Sequence, residues 1–434
     1  MKESISICWF RRDLRIHDNN AFFQALNGEN SVLPLFIYDS DILDSLPNKE
    51  DARLAFIHEQ LVSLNKILTK NGSSVYTSYG KPLEVFEKLS KEFDIKTIYC
   101  NKDYEPYARQ RDAEILAFAE RNQIKFLSYK DQVIFEESEI MKADGKPYTI
   151  YTPYSKIWKQ KFFSQEIPKF ASQDVLSNLV QNNEFPFLNL EDIGFKNIES
   201  GIEKPSIDKS IIKDYHNTRN IPSIEGTTRL SIHLRFGTVS VRELAKITQD
   251  LNETWLNELI WREFFMMILF HFPNVMTQSF KPKYDRIEWR NNEEEFAAWC
   301  SGNTGYPIVD AGMRQLNKTG WMHNRVRMVV ASFLIKHLLI DWRWGEAYFA
   351  EKLLDYDLSA NNGNWQWASG SGCDSAPYFR IFNPTLQTKR FDPKLEYIRK
   401  WIPNYDSQIL PEIVEHQFAR ERVLQTFKKA LADT

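Results

Sequence analysis

The stretch Ser4-Ile5-Ser6-Ile7-Cys8-Trp9-Phe10, followed at once by Arg11-Arg12-Asp13-Leu14-Arg15, decides the fold. A short, mostly apolar run cut off by charge reads as a buried strand. Four more such runs follow, at residues 32–38, 75–79, 95–100 and 124–129. Between the second and third, Leu54, Ile57, Leu61, Leu64 and Leu68 recur at steps of three and four, as an amphipathic helix requires. Leu83, Phe86, Leu89 and Phe93 repeat the pattern. Alternating strands and helices predict a doubly wound, Rossmann-like parallel sheet over residues 1–130. No G-x-G-x-x-G follows the first strand, so a nicotinamide enzyme loses its support.

Beyond this unit the pattern weakens. Residues 131–200 are polar, carry Pro147, Pro153, Pro168 and Pro186, and read as an interdomain linker. From residue 201 to 434 the character is helical. Trp255, Leu256, Leu259, Ile260, Phe264 and Met267 form one apolar stripe. Val326, Met328, Val329, Val330, Phe333, Leu334 and Leu338 are apolar nearly all round, which predicts a central helix. The expected fold is therefore α/β followed by a large all-α domain.

The 55 Lys+Arg against 58 Asp+Glu give a net charge of -3, so any nucleic-acid binding must come from a local patch. Hydrophobic content of 43% excludes wholesale disorder. Four cysteines without a C-x-x-C spacing suggest neither a disulfide framework nor a thiolate metal site. The chain opens without a signal-peptide pattern and has no run near the roughly 18 apolar residues of a membrane span. A cytoplasmic monomer with no membrane association and no metal is expected. The 30 Phe, 18 Tyr and 12 Trp fit a flat ring-shaped ligand or simply a large aromatic core.

Three segments hold chemistry-bearing residues. Glu225-Gly226-Thr227-Thr228-Arg229-Leu230-Ser231 offers backbone N–H groups and a fork donor to phosphate, though alone it reads more readily as an ordinary N-cap. Trp321-Met322-His323-Asn324-Arg325-Val326-Arg327-Met328 sets Asn324 and Met328 on one helix face; His323 is given no role. Asp355-Tyr356-Asp357-Leu358-Ser359-Ala360-Asn361-Asn362-Gly363-Asn364-Trp365-Gln366-Trp367 alone reads as a turn-rich loop. It is too poor in His and Cys for zinc, and its paired aspartates signal glycoside hydrolysis only weakly.

Taken in order, these segments resemble the photolyase/cryptochrome family, and within it the bacterial class I cyclobutane pyrimidine dimer photolyases. The resemblance begins at Trp9-Phe10-Arg11, is densest from residue 255 to 384, and includes Tyr378-Phe379-Arg380-Ile381-Phe382-Asn383-Pro384. It implies a U-shaped FAD in the helical domain. Tyr215, Thr227, Thr228, Arg229, Leu230 and Ser231 would hold the pyrophosphate region. Trp255, Arg262, Arg327, Asp355, Asp357 and Asn361 would line the rest. Asn361 would face the flavin N5, where a carboxylate would oppose added electrons. Trp365, Trp342 and Trp289 would relay electrons to the surface.

The resemblance also implies a lesion pocket built from Glu258, Trp261, Asn324, Arg325, Met328 and Trp367. Glu258 and Trp261, three apart, project to the same side of one helix. A flipped-out dimer would stack on Trp261 and Trp367, with Arg325 and Arg380 on phosphates. The implied activity is blue-light-driven repair of cyclobutane pyrimidine dimers in DNA, a carbon–carbon lyase reaction driven by excited reduced FAD. The alternative is a cryptochrome-type photoreceptor with a signalling role. Two departures bear on detail. Tyr107-Ala108 stands where folate-binding relatives carry Asn-Glu, which weakens folate as the antenna chromophore and leans toward a deazaflavin, with a flavin also open. Met322-His323-Asn324-Arg325 lacks the histidine pair of six-four photolyases, which favours the cyclobutane lesion.

Overall fold

The computed structural model describes residues 2–182, 184–407 and 410–432. Its five strands are β1 (Ser4–Phe10), β2 (Val32–Asp39), β3 (Tyr76–Gly80), β4 (Asp94–Asn101) and β5 (Lys125–Tyr129). All pair in parallel in the order β3-β2-β1-β4-β5, the doubly wound sheet that the alternation predicts. Every residue of β2 is buried, as a strand covered on both faces must be. Phe86 and Leu89 of the helix Pro82–Glu92, with Ile115 and Phe118 of the helix Pro106–Arg121, pack on Ile5, Ile7 and Trp9.

The charged run behind β1 is structural. Asp13 accepts from Arg11 N at 2.7 Å and from Asn101 Nδ2 at 2.6 Å. Arg15 donates to Asp131 at 2.7 Å, and Arg242 donates to Asp131 at 2.8 Å and to Asp18 at 3.0 Å.

The chain divides into two compact units that do not follow chain order. The first comprises Met1–Glu139, Gln160–Ser206 and Leu230–Ile247; the second comprises Ile140–Lys159, Ile207–Arg229 and Thr248–Thr434. Residues 131–200, read as a linker, are shared between them. They contain a helix, Tyr151–Ser164, that the sequence reading does not foresee. Its signal is real but thin: Tyr154, Trp158 and Phe162 are buried at steps of four, while Pro153 sits in the first turn, where it costs no hydrogen bond.

The second unit is helical. Glu293–Ser301, Pro307–Thr319, Asn324–Ser332, Trp342–Lys352 and Leu358–Ser369 contribute to one core that holds Trp299, Val326, Val330, Leu334, Trp342 and Trp365. Asn324–Ser332 is central, as its apolar circumference predicts, and continues into a π-helical turn over Phe333–His337. Gly345 is needed for close helix contact: a Cβ there would lie 2.2 Å from the ring of Trp365. Among the described residues no helix is long and apolar enough to cross a membrane.

Candidate active site

Two N-caps organise the site. His323 Nδ1 accepts from Arg325 N at 3.1 Å and starts the helix Asn324–Ser332. Asp357 accepts from Ala360 N at 3.2 Å and starts the helix Leu358–Ser369. Helical periodicity then brings Asn324, Arg327, Met328 and Ala331 to one face, and Ala360, Asn361, Asn364 and Trp365 to another. Together with Phe349, Leu353, Asp355, Asp357 and Trp367 they line a single cavity with about 630 Å³ of empty space, its open mouth included.

An ion pair sets charge in the cavity, beside the carboxylate of Asp357. Arg327 Nη2 donates to Asp355 Oδ2 at 2.8 Å, and Arg327 Nε donates to Met322 O at 2.7 Å. The Asp355 side chain is 4% exposed, and its Oδ1 is buried with no partner. A bare buried acceptor costs about 1–3 kcal/mol, so it marks a place where a ligand donor belongs. Asn361 Nδ2 donates to Glu346 O at 3.1 Å and to Glu346 Oε1 at 3.0 Å. That fixes the amide orientation and leaves the Asn361 carbonyl oxygen for the cavity. Burial raises the Glu346 pKa, an effect the bond from Asn361 opposes.

His323 is neutral at pH 7. Burial, then the charges of Arg325, Arg327, Arg229 and Arg219, lower its pKa to about 4. Because Nδ1 accepts, Nε2 carries the hydrogen, and it too is buried without a partner. Of these two orphaned polar atoms only Asp355 Oδ1 belongs to a residue lining the cavity, and it fits a donor of a polar heterocyclic cofactor.

A second cluster surrounds Glu258. Arg219 Nη1 lies 2.7 Å from Glu258 Oε1. Burial nevertheless raises the Glu258 pKa, although Arg219 and a hydrogen bond from Tyr215 oppose it. Trp261 lies flat on Tyr151, ring centroids 3.6 Å apart and planes 4° from parallel. Arg325 donates to Asn220 Oδ1 at 2.7 Å and sits over the Phe391 ring. Arg380 is exposed, 5.9 Å over the Trp367 ring.

The remaining expected residues are placed apart from the cavity lining. Arg229 is bound by Glu225 at 2.6 Å and lies over Trp321. Thr227, Thr228 and Arg229 fall in the second unit, Leu230 and Ser231 in the first. Tyr215 and Trp255 are buried, and Arg262 is half-buried. Trp342 is buried in the helical core, and Trp289 packs on Phe427 at 5.9 Å.

Three side chains escaped sequence reasoning: Glu346, Arg219 and Tyr151. Each acts through a partner elsewhere in the chain, and no local pattern announces Glu346 or Arg219. Tyr151 alone had a usable signal, as the first residue of the helix hidden in the presumed linker.

The α/β sheet unit and the tryptophan-walled, Arg–Asp cavity of the helical unit together define the class, a two-unit protein with a cofactor-sized cavity in its helical unit. Residues 6–172 match the family model described as DNA photolyase, and residues 255–431 match the FAD binding domain of DNA photolyase. The chain belongs to the DNA photolyase family. It is 37% identical over 429 residues to the deoxyribodipyrimidine photo-lyase of Alkalihalophilus pseudofirmus, covering 92% of this chain and 88% of that one. A crystal structure of a class III photolyase from Agrobacterium tumefaciens superposes with a TM-score of 0.87 at 31% identity, covering 99% and 98% of the two chains. The photolyase of Sulfolobus tokodaii, solved with two FAD molecules, gives 0.84 at 34% identity, with 98% and 99% covered.

Proposed function

We propose that this chain holds FAD in the helical cavity and uses blue light to split cyclobutane pyrimidine dimers in DNA, as a deoxyribodipyrimidine photolyase. The observation that carries the reading is the bare Asp355 Oδ1 beside Arg327, opening on the same cavity as Asn324, Met328 and Trp367. Bound there, FAD supplies the light absorption and the one-electron chemistry. Everything else falls to the protein. Arg327, braced by Asp355 and the Met322 carbonyl, sets a fixed cation beside an electron-rich ring. Asn361, oriented by Glu346, presents an uncharged acceptor where a carboxylate would repel added electrons. Trp255, Arg262 and Asp357 complete the cofactor's surroundings, and Tyr215 with Thr227, Thr228, Arg229, Leu230 and Ser231 takes its phosphates.

The lesion is met by a second set. Trp261, pre-ordered on Tyr151, stacks on a flipped-out base, and Trp367 stacks on its neighbour. Glu258 has a pKa raised by burial, so it keeps its proton more readily than a surface glutamate and can donate to a pyrimidine carbonyl. Asn324 and Met328 close the pocket, and Arg325 and Arg380 take the flanking phosphates. Trp365, Trp342 and Trp289, oxidisable indoles, would carry electrons from the surface toward a bound flavin. A second chromophore, a deazaflavin, a folate or a flavin, serves the sheet unit as antenna, and the chain works as a monomer. The test uses protein with chemically reduced flavin. Thymine-dimer DNA is restored under blue light and not in the dark; a flavin-loaded protein that leaves dimers intact overturns the reading and favours a photoreceptor.

A further inference from the structure

Behind the cavity, the aromatic rings form a path other than the Trp342–Trp289 relay. Trp365 lines the cavity and is buried. It meets Trp299 at 6.2 Å and 72°, with Phe349 edge-on at 5.0 Å beside them. Trp299 is fully buried, stacks on Phe296 at 5.8 Å and 18°, and donates Nε1–H to Val330 O at 3.1 Å. Phe296 meets Trp344 at 5.2 Å, and Trp344 is partly exposed. Tyr348 flanks the path, 5.7 Å from the Trp299 ring.

We propose that Trp299 and Trp344 form a second electron route from Trp365, with Trp344 as a surface site where a small thiolate reductant delivers electrons. The route rests on the FAD reading of the cavity, with light-excited, oxidised flavin as the one-electron oxidant. Trp365 gives up one electron and regains it from Trp299; Trp299 regains its own from Trp344. A thiolate then reduces Trp344 and becomes a thiyl radical that couples to a disulfide. No proton need move inside the protein, because the Trp299 N–H is bonded to a backbone carbonyl, which is not a base.

Phe349 and Phe296 resist oxidation and serve as packing between the indoles. Tyr348 does not end the route. A phenol that loses an electron must release its proton, and the Tyr348 hydroxyl donates to Asn317 Oδ1 at 2.6 Å and Cys300 O at 3.2 Å, neither of them a base. Burial lifts its pKa to about 12, against easy loss of that proton. Trp344 is therefore where the hole stops.

The experiment illuminates FAD-loaded protein with blue light. With dithiothreitol present, loss of oxidised-flavin absorbance gives the photoreduction rate. Without reductant, in air, peptide mass spectrometry locates oxidised indoles. Trp342→Phe should retain a measurable rate, and adding Trp344→Phe should lower it roughly tenfold further, which corresponds to about 1.4 kcal/mol in barrier. Trp344 should oxidise in light in the wild type and stay intact in Trp299→Phe, a difference that indiscriminate photo-oxidation of surface indoles would not produce. Equal rates for the single and double variants, or unchanged Trp344 oxidation in Trp299→Phe, overturns the route. Because Trp344 lies near the surface, Trp344→Phe keeps the rate test valid even if Trp299→Phe folds poorly. A flavin-loaded wild type that fails these tests overturns the route alone; a wild type without flavin overturns the reading beneath it as well.

Discussion

Two arginine–carboxylate clusters, one in each unit, are built from the same side chains and end differently. In the sheet unit, Asp18 accepts from Phe170 N, Ser240 Oγ and Arg242, and Asp131 accepts from Asn20 N, Arg15 and Arg242. Every oxygen of the two carboxylates is taken. In the helical unit, Arg327 and Asp355 leave one carboxylate oxygen buried and bare. The sheet-unit carboxylates are fully bonded, and the one bare atom among their partners is the buried Arg15 Nε; in the helical unit the bare atom is a carboxylate oxygen lining a cavity, where a ligand donor can reach it. Burial alone would push Asp131 up, but Arg15 and Arg242 hold its carboxyl below the usual range.

The largest effect tests that contrast directly. Asp131→Ala takes the carboxylate partner from buried Arg15 and leaves buried Arg242 with Asp18 alone, and should cost about 3–5 kcal/mol, read as a fall in the urea midpoint, with flavin per folded molecule unchanged. Asp355→Ala leaves a partly exposed arginine, so the midpoint should move far less while flavin stoichiometry collapses. The opposite pairing of outcomes breaks the comparison.

Next in size is the lesion wall. Trp261→Ala should weaken binding of dimer-containing DNA by about 1–3 kcal/mol in an equilibrium titration. Tyr151→Ala should lose part of the same energy and Tyr151→Phe should regain it, since the ring rather than the hydroxyl covers Trp261. Equal affinity for Trp261→Ala and wild type would remove the stacking argument.

A third prediction concerns pH. His323 titrates near 6.5 when unfolded and about 4 when folded, so its contribution to stability is complete above pH 6.5 and is lost as pH falls toward 4. Thermal midpoints should drop between pH 7 and pH 5. His323→Asn, which keeps a cap acceptor, should flatten that drop. The smallest effect is electrostatic: Arg380→Ala should reduce the slope of log K against log salt by about one, with little change in discrimination between damaged and intact DNA.

Much of this was legible in the chain. The five strand runs lie within a residue of the observed strands; β1, β2 and β4, buried on both faces, are written as short apolar runs with abrupt ends, and only the edge strands β3 and β5 are more exposed. The spacing of Asn324 and Met328 already put them on one helix face, whereas the Asp355–Trp367 segment, read alone as a turn-rich loop, is in the structure mostly the helix Leu358–Ser369, started by the Asp357 cap. The Arg11–Arg15 run carried no such information. It could have been solvated surface, and only Asn101, Asp131 and Arg242, distant in sequence, make it an interior network.

The sequence alone therefore settled the doubly wound sheet and the helical domain, since periodicity is a local property; that Asn324, Arg327, Met328, Asp355, Asp357, Asn361, Trp365 and Trp367 line one cavity is a fact of the tertiary structure. Tertiary structure alone decided which atoms stay unpaired and which neighbours orient the rest: Glu346 behind Asn361, Arg219 against Glu258, Tyr151 under Trp261. Those choices depend on long-range approach, where a shift of one ångström makes or removes a hydrogen bond, and no spacing along the chain encodes that distance.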